Sequence, residues 1–375
     1  MDTLKAIHAL PVLCHRATSC SATSDGFSGP KTTKLGELEA VRPATDALLT
    51  LQSVSYDKRT AHGHPMNHSG GKGKIMKLVR RMLLGLAVVL AICGLMSVSL
   101  AAEPTPKHVR LLAIGNSFSQ NATHYLPGIV EAAGDKLTFR TISIGGCPLE
   151  RHWKNADAFQ HGSTEKLPAA WTALSAEPWD FITLQQYSMH SFKLETYRPY
   201  AKQLYDYIKR QCPKSEVLIH ETWAYREDDP LFKNSFSQQD MYWGLRGAYE
   251  AIAGDLGCRV LPVGDAFENA RRDAAWKGVF PDPKFDAKTA KPPALPDQTH
   301  SLNRGYSWSD QKLKFDGHHA NTAGEYLGAA VWFEFMFGHS IVGNSFVPRG
   351  LTAPDVAILQ KIAHQTVTDG LKPKK

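Results

Sequence analysis

Cysteine is scarce in this chain. There are six in 375 residues, and only Cys147, Cys212 and Cys258 lie beyond residue 102. No two of these three stand at the spacing of a zinc-ligand pair, which excludes a cysteine-built metal knuckle. A Cys212–Cys258 disulfide is conceivable in an exported protein, and free buried thiols are the other reading. A charge excess is missing where it would matter. Residues 1–81 hold 12 Lys and Arg against 6 Asp and Glu, whereas residues 82–375 hold 31 against 30. The overall net charge of +7 therefore belongs to the front of the chain. The remainder has no basic surplus with which to hold nucleic acid. No internal repeat is present, so repeat architectures drop out. No ligand cluster suits a phosphatase or metallohydrolase, and neither a metal nor a cofactor is expected. The adjacent His318 and His319 could in principle bind an ion, but neighbouring residues rarely point at one. No long apolar surface helix marks a lipid-facing lid.

The first 75 residues are rich in Ser, Thr, Gly and His and carry no sustained apolar period. They read as an over-extended start, with Met76 the true beginning, or as a disordered tail. From Met76 a short basic head ending in Arg80-Arg81 leads into an uncharged apolar run, Met82 to Ala102, that closes on Ser99-Leu100-Ala101-Ala102. Basic head, apolar middle and small-residue end describe a secretory signal peptide over 76–102, cleaved near Ala101 or Ala102. The run is also close to the ~20 residues that span a bilayer, so an uncleaved anchor through 82–102 stands as the alternative. A buried helix is disfavoured because Pro104 and Pro106 follow at once.

What remains, 107–370, is long enough for one α/β domain. Short apolar runs at 109–114, 137–144, 180–184, 216–220 and 259–263 read as strands. Helical spacing is seen at 124–133, 197–211, 241–256, 323–337 and 354–367. Strands alternating with helices imply βαβ units and a parallel sheet. Residues 276–315 break this rhythm with Pro281, Pro283, Pro292, Pro293 and Pro296, and read as a surface excursion near the functional face.

Two motifs carry chemistry. Ile114-Gly115-Asn116-Ser117-Phe118-Ser119 lies where the first strand ends and a helix begins. Ligands bind at the carboxyl ends of strands in open parallel sheets, and Gly115 permits the tight turn that would project the Ser117 hydroxyl. The helix N-terminus offers N–H groups to a developing oxyanion. A plain helix cap at Ser117 or Ser119 is the bland reading. Further on, Phe315-Asp316-Gly317-His318-His319 sets an Asp three residues before a His, on a loop expected to enter a helix. A carboxylate so placed can fix the tautomer of an imidazole whose other nitrogen takes a proton from serine. Asp265, after the fifth strand, is a second possible acid, less favoured because its distance to a histidine is not fixed locally.

Together these motifs resemble the SGNH (GDSL-type) hydrolases, and more closely an uncharacterised bacterial branch related to carbohydrate esterases. The resemblance covers about 109–338. It implies a flavodoxin-like three-layer α/β/α sandwich around a five-stranded parallel sheet, with Ser117, Asp316 and His319 as a catalytic triad. Asn116 stands where many members carry Asp. The Gly block of the family is similar to Ser143-Ile144-Gly145-Gly146-Cys147, which implies Gly146, or else Gly145, as an oxyanion donor beside the Ser117 N–H. The family's Gly-x-Asn-Asp block is absent, and Gln185-Gln186-Tyr187 follows the third strand instead. A glutamine amide can donate the same bond, so Gln186, or else Gln185, is expected to complete the hole.

Polar and aromatic residues at strand ends suggest substrate contacts at Asn116, Trp153, Tyr187, Glu221 and Trp223, with His190 beside them. Packing accounts equally well for any single Trp. The reading that results is an exported serine esterase removing a short acyl group, acetyl first, from a carbohydrate or other small-molecule ester. A lipid or thioester hydrolase is the rival within the class. A non-catalytic glycan-binding domain is the rival outside it.

Overall fold

The structure is a computed structural model, and it describes residues 76, 79–83, 105–232 and 235–369. The chain divides into two units, Met1–Val98 and Ser99–Lys375. In the first unit, Met76 and residues 79–83 are helical. Most of the expected signal or anchor run lies outside the described residues. Among the described residues no helix is long and apolar enough to cross a membrane.

The second unit is built on five parallel strands, β1 (His108–Gly115), β2 (Lys136–Ser143), β3 (Phe181–Leu184), β4 (Glu216–His220) and β5 (Arg259–Leu261). Their order is β2-β1-β3-β4-β5. β1 is buried along nearly all its length, because helices cover both faces. One face carries α1 (Ser117–Thr123), α2 (Leu126–Ala132), α7 (Val263–Arg272), α8 (Thr322–Phe337) and α9 (Ala353–Asp369). The other carries α3 (Leu149–Gln160), α5 (Tyr200–Gln211) and α6 (Gln238–Leu256), with the short α4 (Lys166–Ala169) beside α3. This is the flavodoxin-like three-layer sandwich.

The order places the break in strand succession between β1 and β3. β1 runs to β2 on one side, and the chain then crosses back to pair β3 on the other. Loops diverge at such a point and leave a crevice at the carboxyl edge of the sheet. Ser117, two residues beyond the end of β1, stands at that crevice.

α8 is apolar on every side, and thirteen of its residues are buried. Such a helix belongs in a core rather than at a surface. Asn321 caps it by accepting from the N–H groups of Ala323 (2.9 Å) and Gly324 (3.1 Å).

Several local expectations are revised. The helix expected at 124–133 is α2 (Leu126–Ala132), and a separate helix, α1, precedes it from Ser117. α3 and α7 did not stand out in the sequence. The excursion is not irregular throughout: Asn303–Ser309 (β6) and Lys312–Ala320 (β7) form an antiparallel hairpin. Asp316 and His319 therefore lie on a strand, not on a loop entering a helix. The three described cysteines are free thiols.

Candidate active site

The turn that carries Ser117 is held from beneath. Asn116 caps α1, its Oδ1 accepting from Phe118 N–H (3.0 Å) while its Nδ2 donates to the Cys147 carbonyl (3.3 Å). The Gln185 Oε1 accepts from Asn116 N–H (3.0 Å) and from Ser119 Oγ (3.1 Å). His152 Nε2 donates to the Gly115 carbonyl (2.9 Å). With these neighbours fixed, Ser117 is the half-exposed member of a stretch that is otherwise buried from Leu111 to Ser119.

The imidazole beside Ser117 arrives from 202 residues away. His319 Nε2 lies 2.9 Å from Ser117 Oγ, and His319 Nδ1 lies 2.9 Å from Asp316 Oδ2. An extended strand would separate residues three apart, so something must shorten this one. The β6–β7 register supplies it. Asn303 pairs with Ala320 and Gly305 with Asp316, so three residues of β7 face one of β6. This bulge bends β7 and turns both side chains to the same place. The Asp316 Oδ1 also accepts from the backbone N–H of His319 (3.0 Å) and of His318 (3.3 Å). Gly317 is required between them, because a Cβ there would stand 2.5 Å from Asp229 Oδ2.

Burial by itself would raise the Asp316 carboxyl. The hydrogen bonds from His319 and the neighbouring imidazoles outweigh it, and hold the group far below the ordinary carboxylate range. Asp316 is thus ionised, as the orienter of a triad would have to be. His318, whose Nδ1 lies 3.2 Å from Asp316 Oδ1, is pushed below the usual histidine range by burial.

The Ser117 N–H is one of the unspent donors of the first turn of α1. The Gly146 N–H is a second. Gly146 is exposed at φ +58°, in the left-handed region that glycine enters without strain. Its turn is pinned against the Ser117 turn by the Ile144 N–H donating to the Gly115 carbonyl (3.2 Å) and by the Asn116–Cys147 bond.

The expectation for the third donor is overturned. Gln186 is wholly buried, its Nε2 donating to Thr196 O (3.0 Å) and Oγ1 (3.2 Å) while its Oε1 accepts from Leu149 N–H (2.9 Å) and Tyr187 N–H (2.8 Å). Gln185 Nε2 donates to the Gln186 carbonyl. Both amides are spent on shaping loops, so neither is free for an oxyanion.

Three of the expected substrate contacts are also corrected. Asn116 is 1% exposed and acts as a helix cap. Glu221 is 1% exposed, accepts from Asp265 N–H (3.1 Å), and is raised well above the carboxylate range by burial and by Asp265. Trp223 is fully buried, stacked between Phe118 (4.5 Å) and Phe267 (4.4 Å), and its Nε1 donates to the His318 carbonyl (2.9 Å). It supports the histidine strand from below. Trp153 is half-buried on α3 and packs against the core. Tyr187 does flank the site, with a ring carbon 3.8 Å from where a Gly146 Cβ would be, and His190 packs edge-on against it at 5.3 Å. Asp265 is engaged by Tyr242 (2.6 Å) and Arg246 (3.0 Å), which leaves Asp316 as the acid beside the histidine.

Sequence reasoning missed Arg226. Its guanidinium forms a two-point pair with Asp228 (2.6 and 2.8 Å), donates to Gln298 (2.9 Å), and lies over the rings of Phe280, Phe315 and Tyr306 at 4.8, 5.0 and 5.7 Å. Its own N–H donates to the Gly317 carbonyl (2.8 Å). One residue thus fastens the proline-rich excursion and the β6–β7 hairpin to the loop after β4. The Arg-x-Asp spacing was visible in the sequence, but its aromatic partners lie 54 or more positions away.

Residues 110–277 match the profile of a domain of unknown function, DUF4886. The match includes Ser117 and ends before Asp316. A DUF4886 family protein from Bacteroides uniformis has a similar structure, with 26% identity and a TM-score of 0.56 over 71% of this chain and 97% of that one. A candidate SGNH hydrolase from Slackia heliotrinireducens matches at 22% identity and a TM-score of 0.40, over 60% of this chain and 98% of that one. A lipase/acylhydrolase from Enterococcus faecalis matches at 12% identity and 0.37, over 61% and 96%. No curated protein matches the sequence.

Proposed function

We propose that the chain is a serine ester hydrolase of the SGNH type. The observation that carries the proposal is the continuous line of hydrogen bonds from Asp316 through His319 to Ser117, each 2.9 Å. Asp316 holds the proton of His319 on Nδ1, so Nε2 is the free base facing the hydroxyl. His319 removes the Ser117 proton as Oγ attacks the acyl carbonyl. The oxyanion forms against the N–H groups of Ser117 and Gly146. His319 then returns its proton to the leaving alcohol, and water resolves the acyl-enzyme by the reverse sequence.

Two backbone donors, rather than the three expected, stabilise that oxyanion. One donor is worth about 3 kcal/mol of barrier, so the chemistry should be slower than with a full hole. The shortfall also favours the non-catalytic glycan-binding reading, and the same assay separates the two.

The substrate reading is a short acyl group, acetyl first, on a carbohydrate. It is supported by the half-exposed polar rings of Tyr187, His190 and His318, which suit a hydroxylated alcohol better than an acyl chain. Export follows from the basic-apolar-small pattern at 76–102. Hydrolysis of p-nitrophenyl acetate tests the proposal, with longer acyl chains and acetylated oligosaccharides in parallel. Turnover should fall by about 10³-fold or more in Ser117→Ala. Equal turnover in that variant would reject Ser117 as nucleophile. Glycan binding without hydrolysis of any ester would leave the binding-domain reading.

A further inference from the structure

We propose that Asp316, His318 and His319 form a binding site for a divalent cation of the zinc class, and that its occupation silences Ser117. One ligand atom from each of Asp316, His318 and His319 lies within 4.8 Å of the other two. The Asp316 carboxylate is held between two imidazoles, Oδ1 3.2 Å from His318 Nδ1 and Oδ2 2.9 Å from His319 Nδ1. The two rings have their centroids 4.2 Å apart. This closeness comes from the bulge in β7, which folds three successive residues into the space opposite one. Two imidazoles and one carboxylate make a donor set suited to zinc and its neighbours rather than to magnesium or calcium. The His318 side chain is 39% exposed, so an ion has a path in. The Trp223 and Asn303 side chains hold the His318 carbonyl from behind, at 2.9 and 3.4 Å, which orients the strand.

The consequence for Ser117 follows from the tautomer. A neutral imidazole carries one proton. Coordination of His319 through Nδ1 requires that nitrogen to be free of its proton, so the ring's one proton moves to Nε2. Nε2 now faces Ser117 Oγ as a donor and cannot accept its proton. The Asp316 carboxylate is drawn to the ion at the same time. Arg304 opposes binding, since its half-exposed guanidinium lies 3.9 Å from Asp316 Oδ2. The silencing rests on the hydrolase reading above, whereas the binding does not.

Zinc chloride is titrated into the metal-free full chain by calorimetry in two buffers of different ionisation enthalpy, with p-nitrophenyl acetate hydrolysis followed in parallel. The expected result is one ion per chain, the same heat in both buffers because the ring keeps its one proton, and loss of hydrolysis that a chelator restores. His318→Gln should weaken binding at least tenfold, and Arg304→Ala, an exposed change that leaves folding alone, should tighten it severalfold. No binding at about 1 mM zinc overturns the proposal, as does affinity unchanged in both variants. Zinc bound as expected to a chain with no esterase activity would instead reject the hydrolase reading and leave the site standing.

Discussion

Gln186→Ala separates two roles for one residue. A glutamine that donated to the oxyanion would, on removal, lower kcat by about 10²–10³-fold and leave folding almost untouched. The structure predicts the reverse. The Gln186 side chain satisfies the N–H groups of Leu149 and Tyr187 and the carbonyl of Thr196 in a place with no exposure to water. Truncation leaves three backbone groups short of a partner, one buried and two partly buried, and each costs up to about 1–3 kcal/mol. Some relief from an entering water brings the sum to about 3–6 kcal/mol, a large share of the ~5–15 kcal/mol that holds a domain. In a domain of this size that lowers Tm by roughly 10 °C or more. Urea unfolding and thermal melting measure the loss directly. Hydrolysis at low temperature, corrected for the folded fraction, should stay within about tenfold of the parent. A Gln186→Ala protein with the parent's stability and a kcat several hundredfold lower would refute the hydrogen-bond accounting and restore the glutamine to the oxyanion hole.

Two buried histidines predict an acid-sensitive fold. Desolvation pushes His152 down to about 4 and His220 down to about 3, from an ordinary value of 6.5. Both folded values lie below the unfolded one, so the unfolded chain takes up protons first as the pH falls. Stability is then complete above pH 6.5 and is lost at about 1.4 kcal/mol per pH unit per histidine until the folded values are reached. Unfolding free energies at pH 7, 6 and 5 should fall accordingly, and a flat profile would contradict the assignment. Arg226→Ala should destabilise by about 3–5 kcal/mol, since it strands the buried Asp228 carboxylate. It should also lower kcat more than it changes KM, because the hairpin carrying Asp316 and His319 loses its clasp; an unchanged kcat would show that the hairpin holds itself. Gly317→Ala should disturb hydrolysis through Asp229 and the Phe315 ring, both of which a new Cβ would strike, and full activity would show that the bulge has slack.

Much of the scaffold was legible because its signals are local. Buried parallel strands read as apolar runs whatever surrounds them, and all five strands of the sheet were found within a residue or two. The hairpin was not legible. β6 and β7 are half-exposed, lie behind a run of prolines, and alternate too weakly to stand out. α3 was hidden for a related reason: its buried face includes His152, a polar residue that packs inward only because Gly115 offers it a carbonyl. Glu221 and Trp223 looked like surface ligands because they follow a strand at the functional edge. In the structure they are covered by α7 and by the hairpin, neither of which the periodicity could place.

By itself the sequence determined the alternation of strand and helix, the turn after β1 with its serine, and the pairing of an Asp with a His three positions on. Each of these depends on residues within one turn or one strand of each other. Only the tertiary structure decided that His319 reaches Ser117 across 202 residues, that both glutamines are consumed by loops, and that Arg226 closes on three distant rings. Those facts depend on strand order and on which buried polar group finds which partner, and a chain's local preferences carry no record of that competition.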